Sequence, residues 1–298
     1  MIVGTATRAA DGGAAVGWGT GGSRITGGQS GRNSGPPGEH MDLPLALGLS
    51  LGVALVGWGL GGLTPAGAVT AVLVGTGILW PTGWAGMAAL GAFVVGASAI
   101  SRVAPDRSVA AFDAKGHQRD PWQVLANGGS AALGALLEFL LPGSGIWVVT
   151  AGLATAAADT WATSTGGWSR VPPRHVVTGR TVPAGTSGGI TWLGSLGALA
   201  GAASVAGAAV LVQAPRLLFP AALTIGMLGM LADSLLGATL QGRFPCPQCD
   251  RATERRVHRC GQPATPVGGQ AWLTNDGVNA LATAGGASLG LLAWLLYS

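Results

Sequence analysis

The sequence predicts an all-α fold, a polytopic transmembrane helix bundle of about seven to eight spans. Three observations carry that prediction. Only 9% of the 298 residues are charged and 48% are hydrophobic, whereas a soluble domain carries about 25% charged residues; this chain could not build an ordinary wetted surface. Its apolar stretches approach or reach the roughly 20 residues a helix needs to cross a hydrocarbon core, and its mean hydropathy is +0.46. Its arginines and its single lysine, Lys115, fall largely in short polar segments between those stretches. The 53 glycines suit helices that pack by close backbone approach where lipid removes the hydrophobic drive.

Residues 1–40 are rich in Gly, Ser, Thr and Arg without an apolar core. They lack a signal peptide's apolar region and are expected to be a disordered extension, with Met41 as the expected true start. Residues 41–298 form the membrane domain. The first span is expected at 43–62. Residues 65–80 and 83–101 read as two spans turning at Pro81-Thr82-Gly83, or as one re-entrant hairpin. A polar loop at 102–123 carries Arg102, Arg107, Lys115 and Arg119. The next spans are expected at 124–141 and 144–164, turning at Pro142-Gly143. A second polar loop, 165–187, holds Arg170, Arg174 and Arg180. Spans at 188–212 and 217–240 follow, joined through Pro215-Arg216. The third polar loop, 241–273, carries Arg243, Arg251, Arg255, Arg256 and Arg259, and the last span covers 277–297.

Two spans separate each polar loop from the next, so all three loops face one side, which the positive-inside rule makes the cytoplasm. The net charge of +4 and pI near 9.6 therefore reflect topology and do not point to nucleic acid. Asp159 lies about five residues from the loop end of its span and Asp233 about eight, hence roughly 8 and 12 Å deep at 1.5 Å per residue. Intramembrane carboxylates are held against a solvation cost and mark functional sites by default. Asn127 and the pair Asn275 and Asn279, one helical turn apart, enter from the same side, so these groups are expected to meet in one inward-facing vestibule. Glu138, near the opposite end of its span, is expected to snorkel to the far interface.

The chemistry of each cluster follows from its residue types. Asp159 and Asp233 are candidate magnesium ligands, since magnesium takes one or two carboxylates beside substrate phosphates; the alternative is an interhelical hydrogen bond. Asn275, Asp276 and Asn279 are candidates to bind metal or nucleotide. Lys115 and Arg119, just ahead of a helix entry, suit an anionic head group, as does Arg180; the alternative is that they only hold their loops inside. Thr186, Ser187, Gly188 and Gly189 open a helix with small residues and hydroxyls, a setting in which phosphate lodges, although no Walker ending is present. Cys246, Cys249, His258 and Cys260 offer three thiols and an imidazole for a structural zinc, the alternative being free thiols. Three cysteines confined to one loop do not make a disulfide framework.

In order along the chain, QVLANGG, ADTWAT, TGR-x-VPAGTSGGIT, ADSLLGATLQ and WLTNDGVN resemble the transmembrane protein 19-like family, also called Domain of Unknown Function 92. The match runs from about Leu43 to the C-terminus and is specific as a combination, not motif by motif. The resemblance implies an integral membrane protein. For the plant branch, which includes phytyl-phosphate kinase, it implies CTP-dependent phosphoryl transfer onto a prenyl monophosphate. The partners expected are accordingly the lipid bilayer, a nucleotide triphosphate and a prenyl-phosphate lipid. A small-solute or lipid transporter is the alternative, because intramembrane charges also mark transport sites; a lipid-binding scaffold without turnover is a third reading. Polar groups gathered toward one face, and no inverted repeat, favour the kinase.

Overall fold

The structure, a computed structural model, describes residues 40–104, 118–212, 214–248, 251–253, 257 and 260–298. Lys115, Cys249 and His258 lie outside the described residues, as does nearly all of the extension. Among the described residues seven α-helices build the membrane domain: α1 Leu43–Gly59, α2 Pro65–Val103, α3 Pro121–Ala135, α4 Ser144–Gly166, α5 Trp192–Leu211, α6 Leu218–Thr239 and α7 Asn275–Tyr297. A 3-10 turn, Leu136–Phe139, follows α3.

Helix α1 shows how such a chain packs. Ala46, Ser50 and Ala54 recur every four residues and are buried, while Leu45, Leu47, Leu51, Val53 and Leu55 are about half exposed. The small residues make a seam and the large apolar ones face outward, the arrangement expected in lipid. Gly75 of α2 fits that seam, its Cα so close to Ser50 that a Cβ would lie 2.8 Å from the hydroxyl.

Helix α2 is one assignment but two arms. Gly83 has φ 58° and ψ −143°, a conformation that only glycine adopts without strain, and Pro81 precedes it. The contacts of Arg119 prove the reversal. Its amide donates to the Gly62 carbonyl at 3.0 Å, its carbonyl accepts from Thr64 N–H at 3.1 Å and rests on Gly67. Its guanidinium lies 5.7 Å from the Phe93 ring centre. Gly67 and Phe93 would stand about 39 Å apart on a continuous helix, beyond the reach of one arginine. The chain therefore turns back at Pro81–Gly83, and α2 contributes two antiparallel arms to the bundle. Met41 N–H donates to the Trp80 carbonyl at 3.1 Å, which puts the start of α1 beside that turn.

Helix α3 opens on a reciprocal cap: Gln123 N–H donates to Asp120 Oδ1 at 2.9 Å and Asp120 N–H to Gln123 Oε1 at 3.2 Å. Its far end departs from the sequence expectation. Glu138 does not snorkel; it is buried and accepts from Gly143 N–H and Gly145 N–H, both at 2.7 Å. A carboxylate at the amino end of α4 satisfies amides that have no partner within the helix and meets the positive end of its dipole.

Helix α4 is the central pillar, with sixteen buried residues and neighbours on every side. It is mostly Gly, Ala and Thr, because a helix shielded from lipid needs no oily surface. Three helices seat glycines on it: a Cβ at Gly201 of α5 would lie 2.7 Å from the Ala157 carbonyl, one at Gly226 of α6 3.0 Å from that of Ala154, and one at Gly290 of α7 2.6 Å from that of Trp147. Among the described residues the polar loops between helices contain two short antiparallel pairs absent from the sequence expectation. They are β1 Arg174–His175 with β2 Gly189–Ile190, and β3 Phe244–Cys246 with β4 Arg251–Thr253.

Candidate functional site

The C-terminal ends of α2, α4 and α6 lie at one end of the bundle, and there a cavity of about 720 Å³ opens. Helices α4 and α6 run in the same direction. Gly229 of α6 sits directly on Thr155 of α4, so one turn further along each helix brings Asp233 against Asp159. The two carboxyls lie within hydrogen-bonding reach of each other, and Asp233 Oδ1 is buried with no hydrogen-bond partner. Both aspartates line the cavity.

The rim comes from three other segments. Gly185 and Gly188 take left-handed conformations, φ 84° and 77°, and Gly188 presses on α6 so closely that a Cβ would overlap Ala238 and stand 3.0 Å from the Ser234 carbonyl. The glycine loop, with Thr186, Ser187, Gly188 and Gly189, is thereby laid beside Asp233. Ser187 Oγ donates to Gln241 Oε1 at 3.4 Å, and Thr186 Oγ1 donates to the Pro183 carbonyl at 2.8 Å. This loop is not itself the helix start that its composition suggests. Helix α5 begins at Trp192, capped by Thr191, which accepts from Gly194 N–H at 2.9 Å. Asn275 and Asp276, in the first turn of α7, complete the rim.

Other candidates stand elsewhere. Asn127 does not line the cavity; its Nδ2 donates to the Gln123 carbonyl at 2.9 Å on its own helix, and Gln123 lines the cavity instead. Arg119 is committed to the α1–α2 connection and to Phe93. Burial lowers its pKa from the ordinary value, and arginine nonetheless stays charged. Arg180 is exposed and off the cavity wall, and Asn279 lies one turn beyond it. Of the cysteine group, Cys246 and Cys260 are described, their sulfurs 3.5 Å apart.

Sequence reasoning passed over Arg170 and Gln241, both lining residues. Arg170 is the only lining cation among the described residues; as one arginine in a basic loop it read as a topological charge. Its signal was position, since it is the first cation after the helix that bears Asp159.

The family described as integral membrane protein DUF92 matches residues 48–287. Protein PGR of Arabidopsis thaliana is 31% identical over 219 residues, covering 63% of this chain and 74% of that protein. No solved structure matches the chain.

Proposed function

Because the chain belongs to the integral membrane DUF92 family, whose plant branch includes phytyl-phosphate kinase by the resemblance given above, we propose that it is a membrane-embedded phosphotransferase. In this reading it moves the terminal phosphoryl group of a nucleotide, CTP, onto a prenyl monophosphate. The observation that carries it is the pair Asp159 and Asp233, drawn from separate helices, within a cavity rimmed by a glycine loop, an amide, a carboxylate and one arginine.

Magnesium suits this donor set. It favours one or two carboxylates and fills its remaining positions with water and phosphate oxygens, and Asp233 Oδ1 is a buried acceptor lacking a partner. Asp159 and Asp233 would hold it, and when bound it neutralises charge on the nucleotide phosphates. Arg170 lines the same space and would take the neutralising role expected of Lys115, Arg119 and Arg180, of which Arg119 and Arg180 stand off the cavity wall. Backbone of the Thr186–Gly189 loop would cradle phosphate, and Asn275 and Asp276 would hold the nucleotide.

The chemistry is economical in catalytic groups. An oxygen of the lipid phosphate attacks the γ-phosphorus, the bond from that phosphorus to the β,γ-bridging oxygen breaks, and CDP leaves with a prenyl diphosphate formed. The attacking oxygen is already anionic, so no general base is required, and catalysis rests on positioning and charge neutralisation. A prenyl tail stays in lipid while its head reaches the vestibule, which the positive-inside rule puts on the cytoplasmic side.

The test is purified protein in detergent with magnesium, CTP and phytyl phosphate, followed for CDP and phytyl diphosphate. Stoichiometric formation of both is expected. Absence of turnover together with solute movement across sealed vesicles would replace this reading with the transporter.

A further inference from the structure

The connection from α4 to α5 is a basic hairpin. Residues 167–192 hold three arginines and one histidine, and no carboxylate. Strands β1 and β2 pair Arg174 with Ile190 and His175 with Gly189. The His175 amide donates to the Arg180 carbonyl at 2.9 Å, and Arg174 Nη1 donates to the Gly179 carbonyl at 3.2 Å. Arg174 and Arg180 therefore stand together at the base of the tip. Both are exposed, and so are the apolar Val171 and Val177. Apolar side chains set among cations, without an acidic residue, suit a segment lying in a lipid headgroup layer.

The height of the hairpin is fixed at its roots. Trp168, two residues past α4, and Trp192, the first residue of α5, are both exposed. Trp122 in the first turn of α3 and Trp272, three residues ahead of α7, are exposed at the same end. Indoles gathered around one end of a helix bundle mark the membrane–water interface. Arg174 lies opposite Ile190, two residues from Trp192, so the Arg174 and Trp192 Cα atoms are at most about 13 Å apart. Gly188 rests on Ser234 and Ala238 of α6, five residues and one residue short of the last residue of that helix. The hairpin base is thus set below the end of α6, not beyond it. With a Debye length of about 8–10 Å, guanidinium groups at this height are within electrostatic reach of the headgroups.

We propose that this hairpin docks onto anionic phospholipid headgroups of the surrounding leaflet, Arg174 and Arg180 taking lipid phosphates and Val177 seating in the apolar boundary. Keeping a loop on one side of a membrane requires only that its charges stay out of hydrocarbon. It does not require arginines at the interface with exposed valines beside them. Guanidinium groups match phosphate oxygens bidentately, and the cytoplasmic leaflet carries the anionic lipids that attract basic segments. Docking bears on the cavity, because Pro173, Val182 and Gly189 of the same connection line it. A hairpin held on the headgroups holds that wall at the level of the lipid heads, whichever reaction the cavity performs.

Full-length protein in nanodiscs of phosphatidylcholine, and of an equal mixture of phosphatidylcholine and phosphatidylglycerol, tests the docking by hydrogen exchange at residues 174–182. In the anionic mixture these amides should exchange about 5- to 25-fold more slowly, because each basic residue near such a surface shifts the docked population about fivefold. Molar salt, which cuts the Debye length to about 3 Å, should abolish the difference. R174Q/R180Q should abolish it too, and V177D should reduce it. Amides of α4 followed in the same samples report whether each variant is folded; should the double variant fail to fold, the salt dependence of the unaltered chain decides. Equal exchange of the hairpin in both compositions would overturn the proposal. So would a slowing that survives molar salt or the loss of both arginines.

Discussion

Asp233 and Glu138 are both carboxylates buried in apolar helices, and they do opposite things. Glu138 accepts two amide hydrogen bonds, and Asp233 keeps an oxygen with no partner beside a second aspartate. The first is a helix cap; the second, in the function proposed above, is a ligand for magnesium. Asp233→Asn and Asp159→Asn preserve shape and remove charge. Each should weaken magnesium-dependent CTP binding by about 100-fold or more, since loss of even an outer partner of a metal ligand costs about 10- to 100-fold. Removing one of two crowded like charges should at the same time leave the melting temperature unchanged or raised. Nucleotide titration with and without magnesium, beside thermal melting in detergent, reads both; undiminished binding in both variants ends the metal assignment. Arg170 makes a parallel case. Arg170→Gln should lower turnover by about 10- to 1000-fold, the range for losing one group that stabilises transferring charge, whereas Arg180→Gln, off the cavity, should leave turnover within about twofold.

Between elements, the controlling fact is glycine against backbone. Helix α4 is approached by three helices at distances a methyl group would occupy, so Gly201→Ala should destabilise by about 1–3 kcal/mol, the usual cost of overpacking. Gly48→Ala in α1 meets nothing within 4 Å and should be neutral or slightly stabilising, because alanine favours helix. Comparing the melting temperatures of the two variants checks this; equal losses would mean the α4–α5 contact is not tight. The spans themselves were legible, since an apolar run bounded by arginines reads as a crossing helix. Their seams were not. Nothing in Ala-Gly-Leu composition says which glycine of a helix meets which carbonyl, and the helix faces carry too little contrast to tell lipid from protein. The two short β pairs escaped notice for a related reason: pairs of two or three residues leave no periodicity to read.

For the molecule as a whole, the described ends of the three polar loops lie at one end of the bundle, with the α1 start and the turns at Pro81–Gly83, Gly143 and Arg216 at the other. A peptide tag after Arg216 should be reached by antibody on intact cells, and one after Thr178 only once the membrane is opened. The reverse pattern would turn the vestibule outward and remove the case for a cytoplasmic nucleotide.

That the chain is a helical membrane protein with its charged loops gathered at one end follows from composition and spacing, because the cost of placing charge in hydrocarbon constrains every residue along the chain. Asp159, Asp233, Asn275, Asp276 and the glycine loop could be picked out in the same way, as polar groups where lipid disfavours them. Only packing decided which of them share a space. It turned Asn127 onto its own helix, tied Arg119 to a distant loop, put Glu138 on a helix end and brought Arg170 and Gln241 to the cavity. Helix registers come from contacts between small residues far apart in the chain, and a local pattern holds no record of those.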